Sequence, residues 1–218
     1  GKTTTIRMAL RIIAADSGAV LLAGAPLDDD RRRQVGYLPE ERGLYRKMKV
    51  LEHLVFLGTI RGLSPREARR RAQWWLERFK LADRAQRKVE DLSKGMQQRV
   101  QIAGCMLHEP RLLILDEPFS GLDPIHTREL KDLLLELSGQ GVTVVLSTHV
   151  LPQVAELCSH LCLVNRARPI LLGPLDEIRQ RFGGNAWGGT TGLGAGVGAA
   201  APGVRGVRPL GERLLVEL

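Results

Sequence analysis

The chain of 218 residues is poor in cysteine, in aromatic residues and in long apolar segments, and each shortage excludes a class of protein. Three cysteines cannot form a disulfide framework, which favours a reducing, cytoplasmic environment. The longest mainly apolar runs, at 112–115 and 142–146, are far shorter than a membrane-spanning helix requires. The length suits one well-cored domain with a small appendage.

The cysteines have apolar neighbours, so we expect buried or half-buried thiols at Cys105, Cys158 and Cys162. The alternative is a metal site built from Cys158, His160 and Cys162. No second cluster of ligands accompanies these three residues, and the thiol interpretation is therefore favoured.

The formal net charge is +8, and arginines concentrate at 31–33, 66–71 and 84–88. Such clusters could meet nucleic acid or anionic lipid headgroups. Solvated helix faces are the favoured interpretation, because aromatic residues make up only 4% of the chain and do not interleave with the arginines.

Hydrophobic periodicity predicts alternating helices and strands in the first half of the chain. Apolar side chains at Ile6, Leu10 and Ile13 predict a helix over 3–14. Short apolar runs at 19–23 and 34–38 predict strands. The segment 50–87 predicts about two helices, the second with Ser64 as its N-cap and Pro65 at its first position.

The second half continues the alternation and ends in a different composition. Strands buried on both faces are predicted at 112–115 and 142–147, with helices at 124–138 and 151–158 and further strands near 161–164 and 170–172. This order predicts an α/β fold with a mainly parallel sheet. Ten glycines between 183 and 206 predict a flexible linker, and the tail at 213–218 predicts one strand of a small, incomplete C-terminal unit.

The first four residues match the second half of a phosphate-binding loop, G-x-x-x-x-G-K-[ST], that opens a helix. In such a loop Gly1, Lys2, Thr3 and Thr4 would surround phosphate, with the lysine on the β- and γ-oxygens and the hydroxyl of Thr3 on Mg²⁺. Four residues by themselves are weak evidence, so the assignment depends on companion motifs.

The strand at 112–115 is followed at once by Asp116 and Glu117. The carboxyl edge of a parallel sheet is where ligands bind. We expect Asp116 to hold Mg²⁺ and Glu117 to polarise the water that attacks the γ-phosphate.

Three further segments lie at matching distances: Leu92–Arg99 before a helix, Ser120–Asp123, and Ser147–His149 after the next strand. With them, residues 1–180 resemble the ATP-binding-cassette (ABC) ATPases, whose motifs occur here in the family's order. The resemblance implies a P-loop NTPase fold with an ABC ATPase domain over 1–182. It also implies a helical subdomain at about 46–109, followed by a linker and partial extension over 183–218.

The resemblance implies a homodimer, or a pair of ABC subunits, that holds ATP between two chains. Ser93, Lys94 and Gly95 would meet the γ-phosphate bound to the partner chain, because they open a helix whose N–H groups attract anions. Asp123 would lie at the dimer seam. His149 would contact the γ-phosphate.

Two departures from the family pattern concern charge. Glu40 stands where many members carry a glutamine that binds Mg²⁺; a carboxylate can still ligate the ion but adds negative charge near the triphosphate. The family's signature segment corresponds here to Leu92–Met96, in which Lys94 and Met96 replace the usual glycine and glutamine.

The chain begins at Gly1 without an initiator methionine or a secretory signal, so we expect a fragment that lacks the glycine-rich half of the loop, its strand and the residue that stacks on adenine. From this we expect weak or absent ATP binding by the chain as given.

Within the family, the segment 36–45 and the signature look like ATPase subunits of ABC-2-type exporters, which act with a separate membrane permease. The chain would then sit on the inner face of the cell membrane, with Tyr45, Met48 and Val50 as candidate permease contacts or, equally, as core residues. The alternative is a soluble ABC ATPase acting on nucleic acid or the ribosome, supported only by the positive charge, and we expect no nucleic-acid partner. The transported substrate is not encoded in this subunit.

Overall fold

The computed structural model describes residues 1–41 and 43–181, together with the backbone of 206–210 and 213–217. These residues divide into a larger unit, Arg7–Ser147, and a smaller unit made of Gly1–Ile6 and Thr148–Leu218. In chain order the helices and strands are α1 (Lys2–Ala9), β1 (Leu21–Leu22), β2 (Ala25–Pro26), α2 (Asp29–Arg33), β3 (Val35–Leu38), α3 (Val50–Ile60), α4 (Pro65–Arg78), α5 (Lys94–Met106), β4 (Leu112–Asp116), α6 (Pro124–Gly139), β5 (Thr143–Ser147), α7 (Leu151–Leu157), β6 (His160–Asn165), β7 (Arg168–Pro174), α8 (Leu175–Arg181), β8 (Gly206–Leu210) and β9 (Arg213–Glu217).

A three-stranded parallel sheet organises the larger unit, in the order β3-β4-β5. The register pairs Leu38 with Leu115 and Asp116 with Ser147. Leu113 and Leu115 of β4 are completely buried, as the continuous apolar run predicts for a central strand. The predicted α/β fold with a parallel sheet is confirmed, and antiparallel pairs join β1 to β2, β6 to β7 and β8 to β9.

Helix α5 packs closely on β3 because Gly36 has no side chain. A Cβ atom at this position would lie 2.7 Å from the carbonyl oxygen of Cys105, a distance that real side chains do not adopt. The thiol of Cys105 in turn donates a hydrogen bond to the carbonyl oxygen of Tyr37, at 3.1 Å. Close helix–strand contact of this kind fixes α5 relative to the sheet.

The predicted pair of helices after residue 50 is confirmed as α3 and α4. Ser64 caps α4 as expected, since its side-chain oxygen accepts a hydrogen bond from the N–H of Glu67 at 3.2 Å. Trp75 and Leu76 of α4 are buried, and the cap therefore fixes the start of a helix that contributes to the core.

The predicted helix over 3–14 is too long, because α1 ends at Ala9. Arg11 adopts a left-handed backbone conformation, with φ of 56°, and the N–H of Ile12 bonds back to the carbonyl oxygen of Arg7 at 2.8 Å. A left-handed residue ends a helix, and hydrophobic spacing does not reveal where it falls.

The prediction that β5 is buried on both faces is wrong. Among the described residues β5 pairs only with β4, and Val145 keeps 43% of its surface exposed. Successive side chains of a strand point to opposite faces of the sheet, and Thr143 and Val145 on one face are exposed whereas Val144 and Leu146 on the other are half-buried. A short apolar run does not reveal which face remains uncovered.

The smaller unit contains α7, the β6–β7 hairpin and α8 around a small apolar core of Val154, Leu161, Leu175 and Ile178. The two strands predicted near 161–164 and 170–172 are confirmed. Cys162 is exposed, contrary to the expectation of buried or half-buried thiols, because alternate residues of β6 face away from this core. Cys105 and Cys158 are half-buried as expected.

The predicted strand in the tail is confirmed as β9, which pairs with β8 in an antiparallel hairpin. Residues 182–205, which hold most of the predicted glycine-rich linker, lie outside the described residues. The proposed domain limits therefore stay a prediction. In the described part of the chain, no helix combines the length and the apolar character needed to cross a bilayer.

Candidate functional site

The carboxyl ends of the three parallel strands bring several predicted site residues to one edge of the larger unit. Asp116 is the last residue of β4, and its register partner Ser147 ends β5. Glu40 follows β3 by two residues and is exposed. This edge is the place where parallel α/β sheets bind ligands.

Asp116 is the most unusual polar residue of this edge. It is 1% exposed, and neither carboxylate oxygen has a hydrogen-bond partner among the described residues. The buried hydroxyl of Ser147 also lacks one. A buried, unpaired carboxylate is costly, and a cation at its oxygens would offset that cost. Because Mg²⁺ prefers oxygen ligands, the arrangement fits the predicted role of Asp116 as a ligand of that ion.

Glu117 leaves the strand in a strained conformation. Its φ is 50°, in the left-handed region that non-glycine residues rarely adopt, and its N–H donates to the carbonyl oxygen of Ser147 at 2.9 Å. Such strain costs on the order of 1–3 kcal/mol and concentrates at functional sites. The strand ends directly at Asp116, and Glu117 begins the turn that follows it. Different roles for the two acids stay a prediction.

The N-terminus of α5 forms a second predicted part of the site. Ser93 is its N-cap, and its side-chain oxygen accepts a hydrogen bond from the N–H of Met96 at 3.3 Å. Ser93 and Lys94 are both exposed. The start of a 13-residue helix carries partial positive charge, and the ammonium group of Lys94 adds to it. The arrangement is suited to an anion that approaches from outside.

Gly95 and Asp123 belong to neighbouring parts of this surface. A Cβ atom on Gly95 would lie 3.8 Å from Leu122 and 4.0 Å from the ring of His126. Asp123 caps α6, and its carboxylate accepts hydrogen bonds from the backbone N–H of His126 at 3.0 Å and contacts the imidazole nitrogen Nδ1 of the same residue at 2.5 Å. The pKa of Asp123 is lowered, chiefly by the backbone hydrogen bond. Its place at a dimer seam stays a prediction.

Gln98 links the N-terminal half of α5 to the loop that follows β4, a role that its sequence position did not suggest. Its buried side-chain amide donates to the carbonyl oxygen of Pro118 at 3.0 Å, which ties α5 to the loop after Glu117. Its place in the motif segment 92–99 was the one signal in the sequence that could have pointed to this contact. Ser147 was likewise overlooked, since its burial beside Asp116 follows only from the strand register.

In the smaller unit, α1 begins at Lys2, directly after Gly1, as predicted. The carbonyl oxygen of Gly1 accepts hydrogen bonds from the N–H and the hydroxyl of Thr5, at 3.0 and 2.9 Å. Lys2 and Thr4 are exposed, and Thr3 is half-buried. The first N–H groups of a helix lack partners within it and are suited to phosphate.

His149 is exposed in the loop between β5 and α7. Next to it, the hydroxyl of Thr148 donates to the side-chain oxygen of Gln153 at 2.9 Å and accepts from the N–H of Val150 at 3.1 Å. These bonds hold the loop on both sides of His149. Its contact with a γ-phosphate stays a prediction, as do the roles of Glu40, Lys2 and Thr3.

A magnesium site at Asp116 would not be an all-carboxylate cage. Within the described ranges, no group of three or more His, Cys, Asp or Glu side chains is placed to hold a metal ion. Mg²⁺ in nucleotide sites is bound by one or two protein oxygens together with phosphate and water. A single buried aspartate is compatible with that mode.

Comparison with known proteins identifies the family. The model of the ABC transporter family matches residues 1–120. The uncharacterized ABC transporter ATP-binding protein YhaQ of Bacillus subtilis is 46% identical over 183 residues, which cover 84% of this chain and 61% of that protein. Nod factor export ATP-binding protein I of Cupriavidus metallidurans is 36% identical over 181 residues, or 82% of this chain and 60% of that protein.

A solved structure described as the ATP-binding subunit of an ABC transporter superposes with a TM-score of 0.76 at 36% identity, covering 84% of this chain and 78% of that one. The chain spans about three fifths of the length of the two curated relatives. Motif order, parallel sheet and sequence identity agree with one another and confirm the resemblance. The chain belongs to the ABC transporter family, as an ATP-binding domain with the fold of the ABC ATPases.

Proposed function

We propose that the protein binds and hydrolyses MgATP and thereby powers an ABC exporter. The observation that carries this proposal is the buried carboxylate of Asp116, whose two oxygens have no partner among the described residues and stand at the ligand-binding edge of the sheet. A bound cation would offset the cost of burying this charge.

Each residue of the site has a separate task in this proposal. Asp116 and the hydroxyl of Thr3 would hold Mg²⁺, which would supply positive charge beside the phosphates, and Glu40 lies at the same sheet edge as Asp116. Lys2, with the N–H groups of Gly1, Thr3 and Thr4, binds the phosphates. The acidic side chain of Glu117 orients and polarises the attacking water, while the imidazole of His149 donates to the γ-phosphate.

The second half of the site comes from another copy or from a paired ABC subunit. Ser93 and Lys94 are exposed at the helix start of α5, where an anion is favoured and where a partner chain has access. ATP held between this surface and the phosphate loop of the partner would join the two chains, and its hydrolysis would release them.

A separate membrane permease is the proposed partner, and the chain would lie on the cytoplasmic face of the membrane through it. Tyr45 is 53% exposed and packs edge-to-face on Phe56, which is 38% exposed. This aromatic pair offers a contact surface for a permease loop. Val50 is completely buried and Met48 half-buried, so the core interpretation holds for Val50. The names of relatives, which include Nod factor export, support export as the direction.

The decisive experiment replaces Glu117 by Gln in the full-length protein. We expect ATP turnover to fall by a factor of about 10²–10⁴, because the water loses its general base. Light scattering should then detect an ATP-bound dimer that persists. Glu77→Gln, at an exposed position of α4, is the matched control and should retain turnover. Undiminished turnover in Glu117→Gln would remove this residue from its role, and a monomer in saturating ATP would contradict the shared site.

Purification under mild detergent conditions tests the partner. We expect a protein with several hydrophobic spans to co-purify and no retention on RNA or DNA. Salt-sensitive retention on nucleic acid, with no membrane protein present, would favour the soluble alternative.

A further inference from the structure

A cavity of about 930 Å³ lies between α4 and α6 of the larger unit, and none of the candidate site residues line it. Its floor is apolar and buried, and the residues that line it are at most 6% exposed: Trp75, Met106, Leu107, Leu133 and Leu137. The volume lies within the range of small-molecule sites, which are mostly apolar with a few polar groups.

The cavity opens at the amino edge of the sheet. Pro110 and Arg111, which directly precede β4, line it, as do Val142 and Thr143 at the start of β5. Asp116 and Ser147 end the same two strands. Five residues of strand, about 16 Å, therefore separate this cavity from the candidate ATP site, and the two cannot share one ligand.

The rim is rich in guanidinium groups. Four arginines line the cavity, Arg70, Arg71, Arg78 and Arg111, whereas only two carboxylates do, Glu109 and Glu136. Arg71 pairs with Glu109 at 3.1 Å, and Arg78 pairs with Glu136 across from α4 to α6. Arg70 and Arg71 both pair with Glu67, which does not line the cavity. Arg111 is exposed and forms no ion pair with a described residue. The rim therefore keeps an excess of positive charge.

Trp74 adds an aromatic wall to this rim. It remains 51% exposed, packs edge-on against Trp75 with ring centres 4.9 Å apart, and has the guanidinium of Arg78 within 5.6 Å of its ring centre. The exposed half of the Trp74 side chain is apolar surface that a ligand could bury at the mouth of the cavity. Little side-chain entropy would be lost, because the tryptophan already packs on Trp75 and Arg78.

We propose that this cavity binds a small organic anion with an apolar body, such as a medium-chain acyl carboxylate or an aryl sulfonate. The apolar part occupies the floor between α4 and α6, and the anionic group meets Arg111 and competes with Glu136 for Arg78. Neither an inorganic anion nor a neutral apolar molecule satisfies both halves of the site. Binding there bridges α4, beside the signature helix α5, to α6, which Asp123 caps.

The probe is 8-anilinonaphthalene-1-sulfonate, an anionic aromatic fluorophore that accepts energy from tryptophan. The chain has three tryptophans, and a Trp187→Phe background leaves only Trp74 and Trp75 as donors. We expect saturable energy transfer with one probe per chain. Octanoate should displace the probe, whereas equal concentrations of 1-octanol or inorganic phosphate should not.

Charge reversal at the rim provides the critical comparison. Arg111→Glu should weaken probe binding by about tenfold or more, because a charge-assisted contact becomes repulsive. Arg66→Glu, an equal charge change on the exposed face of α4 outside the cavity, should leave binding unchanged. Circular dichroism checks the fold of both variants, and Arg111→Gln replaces Arg111→Glu if the latter unfolds.

Three outcomes would overturn the proposal. Equal effects of the substitutions at 111 and 66 would show that the probe responds to overall charge. Displacement by phosphate would show a simple anion site, and displacement by 1-octanol would show an apolar groove without anion recognition.

Discussion

The carboxyl edge of the sheet and the start of α5 differ in how much of a site one chain provides. At the edge, Asp116 is buried by its own chain, and its oxygens lack partners among the described residues. At the start of α5, Ser93 and Lys94 are open to solvent, and the Ser93 oxygen is engaged with its own helix. The first region is thus a buried, charged group within one chain, whereas the second is an exposed helix start.

The difference shows where each part obtains its energy. Burying a carboxylate without a partner costs free energy locally, and a bound cation would offset that cost within one chain. A helix N-terminus in water attracts an anion only modestly and gains strength when a second surface excludes the water. Gln98 connects the two regions directly, because its side-chain amide donates to the carbonyl oxygen of Pro118 in the loop after Glu117.

The strongest test of this comparison is Asp116→Asn. We expect ATP turnover to fall by at least about 100-fold, because the Mg²⁺ ligand is lost. The nucleotide-free protein should become more stable by about 1–3 kcal/mol, since a buried charge is replaced by a neutral group of similar shape. Urea unfolding without nucleotide measures the gain. A loss of stability would mean that the carboxylate is already satisfied in the free protein.

His53 tests whether an unpaired buried polar group is enough to indicate a ligand. It is completely buried, neither ring nitrogen has a partner among the described residues, and burial lowers its pKa to about 4. The imidazole of His53 has a pKa of about 6.5 in the unfolded chain but of about 4 in the folded protein. Between these two pH values the unfolded chain binds a proton that the folded protein does not, so acid favours unfolding. The free energy of unfolding should therefore decrease as the pH is lowered, and His53 should account for a loss of about 2 kcal/mol between pH 7 and pH 5.

The pH dependence of His53 is measured by urea unfolding at the two pH values. His53→Leu should remove this part of the pH dependence and leave nucleotide binding unchanged. His108, whose pKa burial also lowers to about 4, would retain its own share of the dependence. Loss of nucleotide binding in His53→Leu would contradict the distinction between a neutral unpaired group and the charged Asp116.

The prediction with the smallest expected effect asks whether Ser93 only caps α5 or also takes part in ATP-dependent dimerisation. Ser93→Ala and Ser64→Ala remove nearly equivalent caps, with hydrogen bonds of 3.3 and 3.2 Å to the N–H three residues on. Each should cost about 1 kcal/mol of folding stability. Only Ser93→Ala should also weaken ATP-dependent dimerisation in a Glu117→Gln background, as measured by light scattering. Equal dimerisation of the two variants would reduce Ser93 to a helix cap.

Much of the fold could be predicted because its signals are local. The run before Asp116 indicated a buried strand, and Ser64 with Pro65 indicated the start of a helix; both are present. The exposure of Val145 in β5 was missed, because the spacing of apolar residues does not show which face of a strand is covered. The early end of α1 was missed as well, because that spacing does not show the left-handed conformation of Arg11. The cavity between α4 and α6 was missed for the same reason.

The sequence by itself determined the family and the identity of the acids, since the order of motifs along the chain is a property of the chain alone. Tertiary structure decided which of those groups are buried and which are open. Strand register placed Ser147 beside Asp116, and helix packing brought Gly95 to Leu122 and His126. Burial, and with it the free energy of an unpaired charge, depends on neighbours distant in sequence, and only the folded chain brings them together.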